Sequence, residues 1–413
     1  MNFGPKNTDR QVARPTPLRV VHYMGTNFGM TGVETFILQL CAAQMRAGHV
    51  PSIAIDLFSR EEVRAIAQRA GIVVHDLSDP HISGAMKSAN RTTAARGRLA
   101  KFWLRVGRVR LLRKLLRDAD VLHIHAVGIS CIDGFLARAM SPRKALIVTH
   151  HATITWFAPY RSLVSDLTFW LEKRLSDRVV MPYAAALAEL VANGIPKSRA
   201  MVIPFCVDQE LFCGHAGMPA DGALTVVMSA RMFAGKGHLE LLSAIAALKH
   251  RYPGLRAVLI GDGPRRPEVE ASIERLGLRE VVECVGRVSH GEVPAIMRRG
   301  HVIALPSYME GEMFPLCLME GMALGLPAIA TRLAGIPDII VDGETGILVE
   351  PRNEAALARA IELFISDRAF HARAAVNALA RFQSRFSAAA VAQVYLEQYE
   401  DALLNLTSRA LLM

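Results

Sequence analysis

VIALPSYMEGEMFPLCLMEGMALGLPAIAT, residues 302–331, reads in order as a strand, a loop, a helix and a second strand. VIALPS (302–307) is a short apolar run. Pro315 suits the first turn of a helix, which continues through Glu320 to about Leu324 before Gly325-Leu326-Pro327 ends it. PAIAT (327–331) is apolar again. Two apolar strands joined by a helix make a parallel crossover. The unit repeats outward: LTVVMSA (224–230), RAVLIGDG (256–263) and VVECVG (281–286) lie before it and GILVE (346–350) after it. In the first half LRVVHYM (18–24), VPSIAIDL (50–57), GIVVHDL (71–77), VLHIHA (121–126), ALIVTH (145–150) and RVVM (178–181) alternate with helical stretches, the first from about Glu34 to Ala47.

The alternation restarts after VIPFCVDQELFCGHAGMPADGA (202–223), which is rich in Pro, Gly and small residues. The expected class is therefore α/β, with two doubly wound Rossmann-like domains. A loose tail is expected over 1–17, a first domain over 18–204, a linker over 205–222, a second domain over 223–385 and a closing helical stretch over 386–413. In that stretch Val391, Val394, Tyr395, Gln398 and Tyr399 recur near helical spacing, so it can pack on either domain.

Length and composition agree with two domains. The chain has 413 residues, 51% of them hydrophobic, enough for two cores. Its six cysteines form no C-x-x-C pair, which argues against a disulfide framework or a zinc site and fits a reducing, cytoplasmic compartment. No apolar run is long enough to span a bilayer. The net charge of +10 is uneven: residues 1–212 carry 28 Lys and Arg against 16 Asp and Glu, whereas residues 213–413 carry 20 against 22. Arg91 to Arg117 holds ten basic residues and no acid, with Phe102, Val106, Val109, Leu112 and Leu116 near helical spacing. This is a basic amphipathic helix, suited either to a solvated face or to an anionic membrane surface touched by residues such as Arg105, Arg108 and Lys114. No nucleic-acid motif accompanies the charge.

Ligands of open α/β sheets bind beyond the carboxyl ends of the strands. After 224–230 come Arg231 and Lys236, two cations around a glycine turn at a helix start, which favours anions. Gly261-Asp262-Gly263-Pro264 is a tight turn. After 302–307 come Glu310, Gly311 and Glu312, then the helix bearing Glu320. Backbone N–H groups near Leu316 and Cys317 would meet a phosphate, and Glu320 could accept from two vicinal hydroxyls of a ribose.

EMFPLCLME (312–320) has the E-x(7)-E spacing, and with GMALGLPAIATRLAGIPDIIVDGETGILV (321–349) it resembles the retaining GT-B glycosyltransferases of family 4. SARMFAGKGHLELLSAIAAL (229–248), VLIGDGP (258–264) and VIPFCVDQELF (202–212) agree in order and spacing. TGVE (31–34), ADVLHIHA (119–126) and VTHH (148–151) match more loosely. The resemblance implies a GT-B fold and transfer of a sugar from a nucleotide-diphosphate sugar, with retention, to a glycan or lipid-linked acceptor. It implies that Arg231 and Lys236 hold the diphosphate, that Glu320 binds the ribose and that Glu312 contacts the transferred sugar. Gly32, Gly261, Gly263, Phe314 and Leu316 would line the donor site. The family has a histidine after the fifth strand of the first domain; His150 and His151 both qualify, and the T-x-H spacing favours His151. Two departures stand out: Thr31 replaces the first of a glycine pair, and Phe205-Cys206 replaces Asn-Gly.

Two cations and a helix terminus aimed at the departing phosphate make a metal unnecessary, so no metal and no cofactor is expected. Asp118-Ala119-Asp120, a D-x-D triplet of the kind that holds a metal in another glycosyltransferase fold, reads as structural here. The same fold also supports nucleotide-sugar epimerisation or phosphorolysis. A non-catalytic basic membrane- or nucleic-acid-binding protein would leave Arg231, Lys236, Glu312 and Glu320 without a role. The location expected is cytoplasmic, peripheral on the inner membrane face.

Overall fold

The computed structural model describes residues 16–25, 32–55, 61–77, 94–126, 131–153, 162–214, 223–309 and 311–411. The tail through Pro15, Gly29 and Thr31 of the first glycine loop, linker residues 215–222 and Glu310 lie outside the described residues. The chain begins with β1 (Arg19–Met24), α1 (Gly32–Arg46), β2 (Val50–Ile55), α2 (Glu61–Arg69) and β3 (Val73–Asp76). It continues with α3 (Ala94–Asp118), β4 (Val121–Ala126), α4 (Ile132–Ala139), β5 (Ala145–His150), α5 (Leu163–Leu175), β6 (Arg178–Met181), α6 (Ala184–Ala192) and β7 (Ala200–Val202). These strands form one parallel sheet in the order β3-β2-β1-β4-β5-β6-β7.

A second parallel sheet has the order β10-β9-β8-β11-β12-β13. Its elements are β8 (Thr225–Ser229), α7 (His238–Leu248), β9 (Arg256–Ile260), α8 (Arg266–Arg275), β10 (Val282–Gly286), α9 (Val293–Met297), β11 (Val302–Leu305), α10 (Leu316–Ala323), β12 (Ala328–Thr331), α11 (Ile336–Ile339) and β13 (Gly346–Val349). The central strands are buried along nearly their whole length, as β4 and β11 show, because helices cover both faces of a parallel sheet. Most strands are shorter than their apolar runs: 71–77 narrows to 73–76, 224–230 to 225–229 and 302–307 to 302–305, and 281–286 begins at Val282. The three-residue β7 falls at the edge of the Pro-rich stretch and is too short for alternation to reveal it.

Each sheet reverses its winding once, between β1 and β4 in the first and between β8 and β11 in the second. Such reversals open a crevice at the strands' carboxyl ends. Two chain crossings join the domains. Outbound, Val207 N–H donates to the Phe386 carbonyl (2.9 Å); on the return, Ala388 N–H donates to the Val207 carbonyl (2.9 Å). The crossings are thus tied to one another.

After α12 (Glu354–Ser366) and α13 (Arg368–Arg385), the closing helix α14 (Ala388–Leu411) returns to the first domain and packs on α1 and β5. Val391, Tyr395 and Tyr399 are fully buried there, whereas Val394 of the same spacing faces solvent. Each large apolar side chain so buried contributes about 1.5–3 kcal/mol. Arg178 at the start of β6 holds the helix from outside, donating to Gln398 Oε1 (3.2 Å) and pairing with Asp401.

Arg91 lies outside the described residues; from Ala94 onward the basic stretch forms α3, which packs on α4. Leu112 and Leu116 are buried, but Phe102 is 57% exposed and Trp103 52% exposed, so the expected stripe is buried only in its second half. A helix of 25 residues is far longer than the eight-residue helix beneath it, and its first turns overhang. Asp120 lies at the amino end of the sheet, where its Oδ2 accepts from Arg19 N–H (2.8 Å).

Candidate active site

The loops after β8 and β11 meet at the crevice of the second sheet. After β8 the chain must turn tightly beside β11. Gly237 adopts φ +92°, and a Cβ there would lie 2.2 Å from the Pro306 carbonyl oxygen. Gly261, after β9, has φ +129° and would collide in the same way with the Ala230 carbonyl. Only glycine suits both constraints. Ser307 Oγ donates to the Gly235 carbonyl (3.1 Å), and Thr331 Oγ1 donates to the Ser307 carbonyl (2.5 Å), so three successive loops are laced together.

This lacing places Lys236 Nζ 2.7 Å from Glu312 Oε2. Glu312 is buried and the Lys236 side chain is only 17% exposed. Arg231 is exposed, its guanidinium stacked 4.4 Å from the Phe233 ring centre, and among the described residues it has no ion-pair partner. Helix α10 starts at Leu316 behind the cap residue Pro315. Its first N–H groups have no preceding helical carbonyl and stay open to an anion. Glu320 lies one turn further on, 7% exposed, and burial pushes its carboxyl up to about 7. Cys317, one residue into the same helix, has its thiol pushed up by burial and then by the nearby Glu320 and Glu312 carboxylates. Gly263, beside Met232, belongs to the same lattice of loops.

The first domain supplies the facing wall. A Cβ on Gly32, at the start of α1, would approach Leu316 Cδ1 to 3.3 Å, so the two domains touch at that glycine. Phe205, the first-crossing residue that stands where an Asn was expected, bridges them: its ring packs on Phe36 (5.0 Å), His151 (5.0 Å, 17° between planes) and Phe314 (5.8 Å). The two neighbouring histidines part company. His150 Nε2 lies 2.6 Å from Glu172 Oε1 of α5, and His151 stacks on Phe205.

Behind His151 lies a group of histidines not singled out from the sequence. His22 of β1 and His123 and His125 of β4 are fully buried, and His125 Nδ1 lies 3.1 Å from His151 Nε2. Burial lowers all four, His22 to about 4 and His151 to about 3, so all are neutral at pH 7. Nitrogens of His22, His123 and His125 lie within 4.8 Å of one another, close enough to share a metal ion. Their rings are stacked or tilted on each other rather than converging on one point, and hydrogen bonds account for their nitrogens. The signal was available: histidines at alternate positions of a buried strand share one face.

Residues 30–211 match the model of Glycosyltransferase Family 4, and residues 218–381 match that of Glycosyl transferases group 1. The chain is a GT-B glycosyltransferase of the family 4 group. Among relatives, it is 25% identical over 364 residues to a phosphatidylinositol N-acetylglucosaminyltransferase subunit from Arabidopsis thaliana, covering 86% of this chain and 76% of the relative. It is 26% identical to a Mycobacterium tuberculosis glycogen synthase over 66% of this chain and 62% of that one. The fold matches Anabaena HepE, solved in complex with UDP, with a TM-score of 0.74 at 19% identity over 93% of this chain and all of the other. It also matches the sucrose-phosphate synthase of Thermosynechococcus elongatus, with a TM-score of 0.66 at 20% identity over 94% of this chain and all of the other. In this glycosyltransferase Glu312 and Glu320 both follow β11, in the loop and in helix α10, and both are buried.

Proposed function

We propose that this glycosyltransferase transfers a sugar from a nucleoside-diphosphate sugar, with retention and without a metal, to a glycan or lipid-linked acceptor at an anionic membrane face. The carrying observation is the Lys236–Glu312 contact at the switch point of the second sheet, beside the exposed Arg231 and an open helix terminus. Arg231 and Lys236 take the diphosphate, Glu320 the ribose hydroxyls and Glu312 the transferred sugar. In the reaction the bond from the anomeric carbon to the diphosphate oxygen breaks. The acceptor oxygen bonds that carbon, and the acceptor's hydroxyl proton leaves with the diphosphate. Charge grows on the terminal phosphate, and the two cations and the α10 terminus are fixed in place to meet it.

The membrane side of the reading rests on α3 and α5, which flank α4. Phe102, Trp103, Leu163, Leu167 and Trp170 are exposed on them. Arg105 and Arg108, expected to touch lipid, instead turn to the buried Asp133, at 2.8 and 3.9 Å. Arg110, Arg113, Lys114 and Arg117 are exposed and, among the described residues, have no ion-pair partner; with Arg143 and Lys144 they line a basic hollow of about 460 Å³. No helix among the described residues is long and apolar enough to cross a membrane.

A thermal-shift screen with UDP-, GDP- and ADP-sugars tests the donor, followed by NMR of the product's anomeric configuration. Stabilisation by one nucleotide class and a retained anomer are expected. No response to any nucleotide sugar, or an inverted product, overturns the reading.

A further inference from the structure

His151 ends a chain of hydrogen bonds that begins on the last helix. Its Nδ1 is buried and, among the described residues, has no partner. Its Nε2 meets His125 Nδ1 (3.1 Å), His125 Nε2 meets His22 Nδ1 (3.0 Å), and His22 Nε2 meets Gln44 Oε1 (2.9 Å). Gln44 Nε2 donates to the Tyr399 hydroxyl (3.2 Å), which lies 2.7 Å from His123 Nδ1. His123 Nε2 meets Thr149 Oγ1 (2.7 Å), and Thr149 meets the Tyr395 hydroxyl (2.9 Å).

A neutral imidazole has one donor and one acceptor nitrogen, so each link dictates the next. The Gln44 oxygen only accepts, so His22 carries its proton on Nε2 and accepts on Nδ1. His125 must then donate from Nε2 and accept on Nδ1, and His151 must donate from Nε2. What remains on His151 is a bare Nδ1, an acceptor with nothing to accept among the described residues. The ring that carries it stacks on Phe205, which also touches Phe314 beside Glu312. Buried polar atoms are rarely left unmatched without a functional reason.

We infer that Gln44 and Tyr399, acting through His22 and His125, are positioning residues that hold His151 in the tautomer presenting a bare Nδ1 to a sugar hydroxyl in the cleft. The inference rests on the nucleotide-sugar reading for its ligand, but not for the tautomer. It gives the return of α14 to the first domain a purpose beyond packing: the helix that follows the donor domain orients the far wall of the cleft.

Two variants break the path, Gln44→Met and Tyr399→Phe. Tyr395→Phe is the control, since it deletes an equally buried hydroxyl from the same helix at the chain's other end. The first readout is long-range proton–nitrogen NMR of the full chain labelled with ¹⁵N-histidine, with His151 assigned by His151→Gln. The wild type and Tyr395→Phe are expected to show the proton on Nε2 of His151. Gln44→Met and Tyr399→Phe are expected to show a mixture or the reverse. A proton on Nδ1 in the wild type, or an unchanged tautomer in both variants, overturns the inference. The second readout is calorimetry with UDP and UDP-glucose. The two variants should keep UDP affinity within about twofold and lose about tenfold for UDP-glucose, the scale of one hydrogen bond. Equal losses for both ligands would mark a structural role only and overturn it. If the wild type binds no nucleotide sugar, the donor reading fails and takes the ligand half with it, while the NMR result still decides the tautomer.

Discussion

Glu320→Gln tests the donor site through proton linkage. Burial raises the Glu320 carboxyl from 4.5 to about 7, and no cation is among the causes of that shift. In the unfolded chain the group ionises at its ordinary value, so between pH 4.5 and 7 the folded state binds more protons than the unfolded state. The contribution of Glu320 to stability is therefore present below the unfolded value and declines as pH rises, reaching its full cost just above 7. A rise from 4.5 to about 7 corresponds to roughly 3 kcal/mol. A ribose diol that donates two hydrogen bonds to the carboxylate favours the ionised form, so nucleotide binding should expel a proton. With a midpoint near 7, the ionised fraction rises about tenfold from pH 6 to pH 8, and UDP affinity should rise with it. Glu320→Gln should lose that part of the pH dependence, bind UDP more weakly at pH 8, and be more stable than the wild type at pH 8 but not at pH 4.5. Denaturant titration at both pH values and calorimetry at pH 6 and 8 measure these effects. The phosphate's own titration is common to both proteins and cancels. An unchanged pH dependence of UDP binding in Glu320→Gln, or undiminished affinity at pH 8, would refute the assignment of this acid to the ribose.

Lys236→Ala should lower turnover about a hundredfold at saturating donor and acceptor, the usual loss on removing one preorganised donor; near-full turnover would exclude Lys236 from stabilising the leaving phosphate. Glu312→Ala should leave free UDP binding within about twofold and depress sugar transfer, so equal losses in calorimetry and activity would end the division of labour between the two acids. Activity should persist in excess EDTA, and a complete, magnesium-reversible inhibition would reopen the question of a metal. Co-sedimentation with vesicles should rise with anionic lipid and fall with salt, and it should drop about a hundredfold when Arg110, Arg113 and Arg117 are all changed to Gln, at about 1 kcal/mol for each cation near the surface. Equal sedimentation with neutral vesicles would remove the membrane from the account.

Much of this protein was legible in the chain because the information is local. The central strands of a parallel sheet are buried on both faces, so runs such as VLHIHA and VIALPS stand out as continuous apolar segments. Glycine turns and Pro315 mark where those strands give way to helices, and acids and cations at strand ends point to the crevice. The paired acids Glu312 and Glu320 are eight residues apart on one loop and helix, so their relation needs no knowledge of the rest of the fold. What the sequence left open depends on contacts between residues far apart in the chain. Spacing favoured His151 over His150 without showing where either ring goes; Glu172 draws His150 aside, and Phe205 with His125 receives His151. Nor could helical periodicity say which domain α14 covers, since an apolar stripe fits any apolar surface until Thr149, His123 and Gln44 supply partners for its two tyrosines. The ten-cation helix shows the same limit. Composition revealed its charge, but only the fold could show that Asp133 claims Arg105 and Arg108 and leaves the cations of its last turns to solvent, because charge is a property of the residue and its availability a property of its neighbours.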